Sequence, residues 1–589
     1  MGLNVGTAES VKDAQPDSPA GPDGTSVRRA GTTRRNVLIG AAATTALALS
    51  GCTGVTGPTR NSASGGQGSP GSGGQQTGGS ILAGIDGGNP TLTRAFNPFV
   101  SGRRGGALFM YEPLMVLNTL DGSTTPFLAT KYSQPDPKTV VFDIRQGVTW
   151  SDGTPFSPQD VSFSFNLLKE NAALDTLGVW QHLDSIEVKD QQVTMHLTSE
   201  DVPAAQVLMQ AFIVPEHLWK DVKDPVTFTN ENPVGTGPYV LGDFSPQQYN
   251  IKRNEKYWQA DKVAAAEIVF PAANTQLDLV KKGYDWAYAF ISDVDKTWVK
   301  ADSQHNTYWF PPGGTICLYP NLVKGPVTDV NIRRGISLAL DRKTVADKAE
   351  EGYVDPAGQA GLLLPYQQAL LDPTLPDGGA ITQDTNAALE AFGKAGYTKQ
   401  GDKLVNSSGK QLSLTITTAN GYTDWLRGVQ EVQSQLGALG IHVTIAQPQP
   451  PAYTQALNNG DFELAMGSFG GTGSFYQDMA NLMGSDFYKP IGKTASANFE
   501  RYRNSKTDSL LQDLRQTVDE ASQTDLSHQL QQVIFNELPV ISLFYGGLWG
   551  LFSTKTFTGW PSKDDPYATP ISWTSNVLSI VTHLKGAGN

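Results

Sequence analysis

Between residues 411 and 471 the spacing of apolar side chains switches back and forth between two periods, and each switch predicts an element. Leu412, Leu414 and Ile416 alternate with polar neighbours, the period of a half-buried strand, and Asp424 then stands where a helix N-cap belongs. Trp425, Val429, Val432, Leu436 and Leu439 follow at steps of four, three, four and three, so they share one helical face, and Gly440 can close that helix. Ile441, Val443 and Ile445 restore the strand period, a short helix is predicted from Tyr453 to Gly460, and residues 462–466 read as a third strand. The order β-α-β-α-β predicts a parallel sheet with right-handed crossovers, and ligands of such sheets bind beyond the carboxyl ends of the strands. That rule selects Asn420, Gly421, Tyr422 and Trp425 after the first strand, and Ser468, Phe469, Gly470, Gly471, Phe475 and Tyr476 after the third. Trp425 fits the buried stripe of its helix as well as the rim. Phe469, Phe475 and Tyr476 fall in a glycine-rich segment without strand or helix period, where aromatic rings can face a ligand instead of filling a core.

A second legible pattern runs from Thr139 to Lys169. Residues 139–144 read as a strand and Ser151-Asp152-Gly153 as a turn. Ser157-Pro158-Gln159-Asp160 then reads as a helix start, with Ser157 as cap, Pro158 in the first turn and Asp160 as the acid of a capping box. Val161, Phe165 and Leu168 make the stripe that this helix buries.

The amino-terminal pattern is different in kind. Arg34 and Arg35 precede an apolar run from Val37 to Leu49, too short for the roughly 20 residues that span a bilayer, so it reads as a cleavable export signal. Leu49-Ser50-Gly51-Cys52 resembles the lipobox of bacterial lipoproteins, which makes Cys52 the expected site of lipid attachment and the mature N-terminus. The paired arginines resemble a twin-arginine signal, which exports folded proteins. From Cys52 to Ser80 the chain is mostly Gly, Ser, Gln, Pro and Thr and has almost nothing apolar to bury, so it reads as a flexible tether with a reach on the order of 30 Å. The expected location is the outer face of the cytoplasmic membrane, in a periplasm or at the cell surface.

The formal charge of −13 disfavours nucleic acid or an anionic membrane face as the main partner, since both reward clusters of Lys and Arg. Only Cys317 accompanies Cys52, so no disulfide is available once Cys52 is lipidated. The seven histidines are scattered without metal-ligand spacing, and neither a metal nor a cofactor is expected. Gly492-Lys493-Thr494 lacks the earlier glycine of a phosphate loop, and Gly235-Thr236-Gly237-Pro238 lacks the third glycine of a dinucleotide turn. No Gly-x-Ser-x-Gly elbow occurs in the body of the chain. A secreted hydrolase built on two acids that meet only in space stays open as an alternative, but the missing motifs favour binding over catalysis.

The stretch Ile144-Arg145-Gln146-Gly147-Val148-Thr149-Trp150-Ser151-Asp152-Gly153-Thr154-Pro155-Phe156, followed by Asp160-Val161, resembles the signature of the family 5 extracellular solute-binding proteins of ABC importers. Tyr111-Glu112-Pro113-Leu114, the run 233–239 leading to Tyr257-Trp258, and Val330-Asn331-Ile332-Arg333-Arg334 leading to Ala339-Leu340-Asp341-Arg342 agree with it. The resemblance implies an α/β, two-lobed fold of the periplasmic-binding-protein type (type II, the large cluster C form) with an extra subdomain in the first lobe. It implies a leader and signal at 1–51, a tether at 52–80, lobe I at 81–313, lobe II at 314–545 and a return to lobe I at 546–589. The chain departs from the family at the crossing, where Leu318-Tyr319-Pro320-Asn321 stands in place of the usual Phe-Asn-Thr.

Within the family, residues 93–99, 212–219 and 557–561 resemble members that bind cellobiose and related β-linked oligosaccharides. Oligopeptide binders hold the peptide ammonium with an Asp in a Trp-x-x-Asp-Tyr-like segment, whereas the matching stretch here, Ser468-Phe469-Gly470-Gly471-Thr472, has no acid. A buried ammonium without a carboxylate costs several kcal/mol, so the resemblance favours a sugar, with a peptide as the alternative. The residues expected to line such a site are Asn97, Asn420, Tyr422, Trp425, Phe469, Phe475, Tyr476, Tyr545 and Trp549, although Asn97 fits equally well as a turn residue before Pro98. The implied partners are the solute, the permease subunits of an ABC transporter and the membrane reached through the lipid, with the protein a monomer that performs no chemistry.

Overall fold

The computed structural model describes residues 78–588 apart from 87, 276, 277, 279, 281 and 282. The expectations for Arg34, Arg35, Cys52 and the tether up to residue 77 lie outside the described residues. Among the described residues no helix is long and apolar enough to cross a membrane.

The period-switching stretch forms the expected elements. The strands Ser413–Thr417, His442–Ala446 and Leu464–Phe469 are parallel, with the first between the other two. The helices Thr423–Ala438 and Pro450–Asn459 connect them. Val429, Val432 and Leu436 of the longer helix are buried, as their spacing requires. Its N-cap is Tyr422 and not Asp424, which lies two residues on in the first turn, where a carboxylate still opposes the positive end of the helix dipole. Gly440 follows the helix at φ +89, and a Cβ there would stand 2.6 Å from the carbonyl oxygen of Asp402, so only glycine fits.

Two strands that the period does not single out complete this sheet. Pro312–Pro320 pairs antiparallel with both Leu464–Phe469 and Ile541–Gly547. Thr315 is in register with Phe469 on one side and Tyr545 on the other, so these strands end at one rim. The rest of the chain is mainly antiparallel. Thr139–Ile144 lies in a four-stranded sheet between Ala129–Asp136 and Gln192–Leu197, with alternate side chains buried. The helix Pro158–Glu170 opens on the expected capping box, in which Ser157 donates its backbone N–H to Asp160 Oδ2 at 2.9 Å. A further sheet of Ser80–Leu82, Glu267–Pro271, Gln248–Arg253 and Tyr239–Phe244 stands beside a three-stranded one in which Gly550–Ser553 lies between Trp286–Tyr288 and Asn306–Trp309.

The apolar cores divide along the same lines. One gathers side chains from Ile81 to Trp309 and again from Phe552 to Leu584. Two others draw on Ile316 to Phe544 and on Cys317 to Val540. The paired strands Pro312–Pro320 and Ile541–Gly547 are where the chain passes from one group of cores to the other and back.

Candidate ligand cleft

The rim of the five-stranded sheet is built by backbone before side chains. Gly470, Gly471 and Gly473 all have φ near +80, the left-handed region that glycine enters without strain. A Cβ on Gly471 would stand 2.0 Å from the carbonyl oxygen of Gly313, so the loop after one strand lies directly on the start of its neighbour. Asp478 fixes the loop from below by accepting Gly471 N–H at 3.2 Å, Thr472 N–H at 3.2 Å and the Thr472 hydroxyl at 2.7 Å. Burial pushes this carboxyl up to about 6 in spite of those three donors.

Opposite the loop lies a turn from the other group of cores. A Cβ on Gly122 would stand 2.8 Å from the carbonyl oxygen of Gly473, and one on Gly473 would stand 3.0 Å from Thr119 Cα. The same turn is tied to the carboxyl-terminal segment, because Asn118 donates to Pro566 O and Asn576 donates to Leu117 O. A second contact between the two halves is ionic. Arg515 donates to Asp201 Oδ2 at 2.6 Å, His182 Nδ1 stands 2.8 Å from the same oxygen, and Val202 N–H donates to Arg515 O at 2.8 Å.

The structure separates the nine residues expected in the site. Tyr422 and Trp425 meet edge to face at 5.4 Å, both half-buried, beside exposed Asn420. Trp549 is half-buried between Phe290 and Phe310, each 4.9 Å away. Phe475 and Tyr476 are half-buried but open a helix, Phe475–Met483, in a segment that shows no period by sequence. The helix is short, capped by Ser474, and held by Met479, Leu482 and Met483 in the core. Three expectations are corrected. Asn97 is fully buried in the first group of cores, donating to Pro225 O and Phe228 O and accepting Phe99 N–H, so its amide holds a turn. Tyr545 is 5% exposed and its hydroxyl donates to Leu362 O while accepting Leu364 N–H, which makes it a packing residue. Phe469 is 8% exposed and packs with Cys317 and Met479, because its strand runs longer than its alternation indicates.

Aromatic residues that the strand-end rule does not reach stand beside Trp549. Tyr288 ends the strand Trp286–Tyr288, and Trp573 meets it edge to face at 4.4 Å. Trp573 is 44% exposed, the only exposed tryptophan among the described residues. The alternation of Trp286, Tyr288 and Phe290 is the signal that could have found this wall. Among the described residues no group of His, Cys, Asp and Glu could hold a metal ion.

A parallel-centred sheet joined to a second, mainly antiparallel body by a pair of crossing strands, with aromatic side chains at the junction, defines the two-lobed fold of type II periplasmic binding proteins. The family model "Bacterial extracellular solute-binding proteins, family 5 Middle" matches residues 123–490, and the chain belongs to that family. Family 5 members are solute-binding proteins of ABC importers, not enzymes, so this chain binds a small solute and works with an ABC transporter. It is 23% identical to the oligopeptide-binding protein OppA of Bacillus subtilis, over 74% of this chain and 83% of that one. It is 26% identical to the nickel-binding periplasmic protein of Escherichia coli, over 60% of this chain and 69% of that one. The structure of a mannohexaose-bound periplasmic oligopeptide-binding protein of Thermotoga maritima covers 87% of this chain and 99% of its own, with a TM-score of 0.64 at 24% identity.

Proposed function

We propose that this protein captures a neutral oligosaccharide between lobe I (81–313 and 546–589) and lobe II (314–545) and delivers it to the permease of an ABC importer. The observation that carries the reading is the state of Asp478. It is the carboxylate tied to the loop 470–473, and it is buried with both oxygens occupied by that loop, so it is not free to meet a ligand ammonium. A sugar needs instead flat apolar faces and neutral hydrogen-bonding groups, and Tyr422, Trp425, Trp549, Trp573 and Asn420 offer both. Ligand bridging the lobes stabilises the closed form by its differential affinity for closed over open. Export by the twin-arginine route, with lipid on Cys52 and the tether to residue 80, would keep a monomeric receptor within reach of its permease.

Peptide capture is the second reading, supported by a different acid. Asp424 lies in the first turn of the helix that follows Tyr422, close enough to buried Glu350 to help push that carboxyl up to about 8, chiefly through its burial. A cationic ligand group could be received there, and the relatives include peptide binders by name. A thermal-shift screen of the full chain with manno- and cello-oligosaccharides, and with peptides free or acetylated at the amino end, separates the two. Ligand at a hundred times its Kd adds about 2.7 kcal/mol. A shift with sugars alone supports the first reading, whereas a shift with peptides that acetylation abolishes replaces it with the second.

A further inference from the structure

The family signature stretches meet at a hollow whose chemistry solute capture does not use. It encloses about 460 Å³ and is lined by Arg145, Lys262 and His583 together with Trp258, Tyr567 and Ser579. No carboxylate is among its lining residues, although the chain carries a formal charge of −13. Arg145 lies flat on Trp258, 3.8 Å from the ring centroid, and its Nε donates to Phe127 O at 2.6 Å. Both terminal nitrogens of its guanidinium are without a hydrogen-bond partner among the described residues. Stacking on an aromatic face pre-organises that fork without using its donors.

The nearest acid does not cancel the charge. Glu112 lies buried beneath, its Oε1 already accepting from Tyr257 at 2.9 Å and from Trp258 at 3.0 Å. Burial pushes it up to about 7, so it is protonated for much of the time at neutral pH. On the other wall His583 stacks on Tyr567 at 3.9 Å between centroids, with Nε2 3.2 Å from Asp565. Lys262 is exposed at the mouth.

We infer that this hollow is an anion site for a phosphate-bearing small molecule, with the phosphate on the Arg145 fork and Lys262, and its organic part between Trp258 and Tyr567. A planar fork and an ammonium suit phosphate oxygens. The space exceeds a lone phosphate, and the aromatic walls suit a ring. A single lysine at the mouth favours a soluble phosphorylated molecule over a membrane surface, which rewards several. The site is separate from the cleft and does not depend on what the cleft binds.

The test is calorimetry of the full chain with glucose 6-phosphate, glucose and inorganic phosphate, and cosedimentation with phosphatidylglycerol or phosphatidylcholine vesicles. Saturable heat is expected with glucose 6-phosphate, none with glucose, and a weakening of about tenfold in the double variant Lys262→Ala, His583→Ala. Both positions are exposed, so the variant should melt with the parent, and Trp573→Ala should leave this heat unchanged and so mark the site as distinct from the cleft. Binding to phosphatidylglycerol vesicles alone, lost in the double variant, would assign the phosphate to a lipid headgroup. Silence with every phosphate source, or binding that the double variant leaves intact, overturns the inference.

Discussion

Two of the contacts between the halves of this molecule differ in what it takes to part them. At the crossing strands the join is covalent backbone, buried, and locked by glycines, with Gly471 lying on Gly313 where no side chain fits. At Asp201 and Arg515 it is one ion pair, a long hydrogen bond from Arg515 to Ser199 Oγ and one backbone hydrogen bond, and Arg515 keeps 36% of its side-chain surface in water. A hinge must survive opening and a latch must not. The first contact has the build of a hinge and the second that of a latch, since a half-exposed ion pair holds a closed form by only a small margin.

The sharpest way to break the comparison is to damage the hinge. Gly471→Ala puts a Cβ 2.0 Å from a carbonyl oxygen at a φ of +83, so the strand ends must move apart. The expected cost is about 3 kcal/mol, from overpacking plus left-handed strain, read as a fall in the denaturant midpoint of the whole chain. An unchanged midpoint would mean that the rim is soft, and the hinge reading would fall with it.

Acidification separates fold from latch. Burial lifts Glu350 to about 8, Glu112 to about 7 and Asp478 to about 6, from ordinary values of 4.5, 4.5 and 3.8. The folded chain therefore keeps protons that the unfolded chain has released, and stability falls as pH rises from about 5 to about 8. Lowering the pH from 7 to 6 should add about 3 kcal/mol at most, measurable by urea titration at each pH. Asp201 runs the other way. Burial alone would raise it, but the hydrogen bonds from His182 and Arg515 outweigh burial and hold it below the usual 3.8. Its contribution is whole above that value and is lost only as pH falls through the lowered one, so the Asp201–Arg515 pair should be indifferent to the change that tightens the fold.

Removing the latch should have a smaller and different effect. Asp201→Ala takes away the shared partner of Arg515 and His182, and the loss of a latch that opening breaks is expected to weaken ligand binding about tenfold. Small-angle scattering of the unliganded variant should show a larger radius of gyration than the parent. Equal affinity and equal radius would show that the pair merely decorates the surface.

What could be read from the chain follows the same division. Residues 411–446 were legible because each element there has one buried face, and the alternation at 139–144 and the box at Ser157 and Asp160 were legible for the same local reason. Pro312–Pro320 was legible only through the family resemblance at the crossing, because it is flanked by strands on both sides and buried along most of its length, which leaves no alternation. The site was half legible. Strand ends pointed to Tyr422, Trp425 and the glycine loop, but burial is a property of the whole fold, and Asn97, Tyr545 and Phe469 proved to be engaged by distant backbone or core. The opposite wall was missed because Tyr288 and Trp573 are distant in sequence and meet only when the carboxyl-terminal segment returns.

That wall supplies the smallest and most specific prediction. Trp573 is 44% exposed and is held at one edge by Tyr288, so its removal leaves no cavity and should barely move the melting temperature. If it is a platform, Trp573→Ala should cost about 1 kcal/mol of ligand affinity, and Trp573→Phe should recover most of it, because a flat ring and not the indole N–H makes the contact. Tyr422 stands on the other lobe, and Tyr422→Ala should lose a similar amount. Their losses in the double variant should add if each ring meets a separate part of the ligand, and fall short of adding if both grip one ring. A titration series with the two single variants and the double variant distinguishes these outcomes, and no loss in any of them would place the ligand away from this wall.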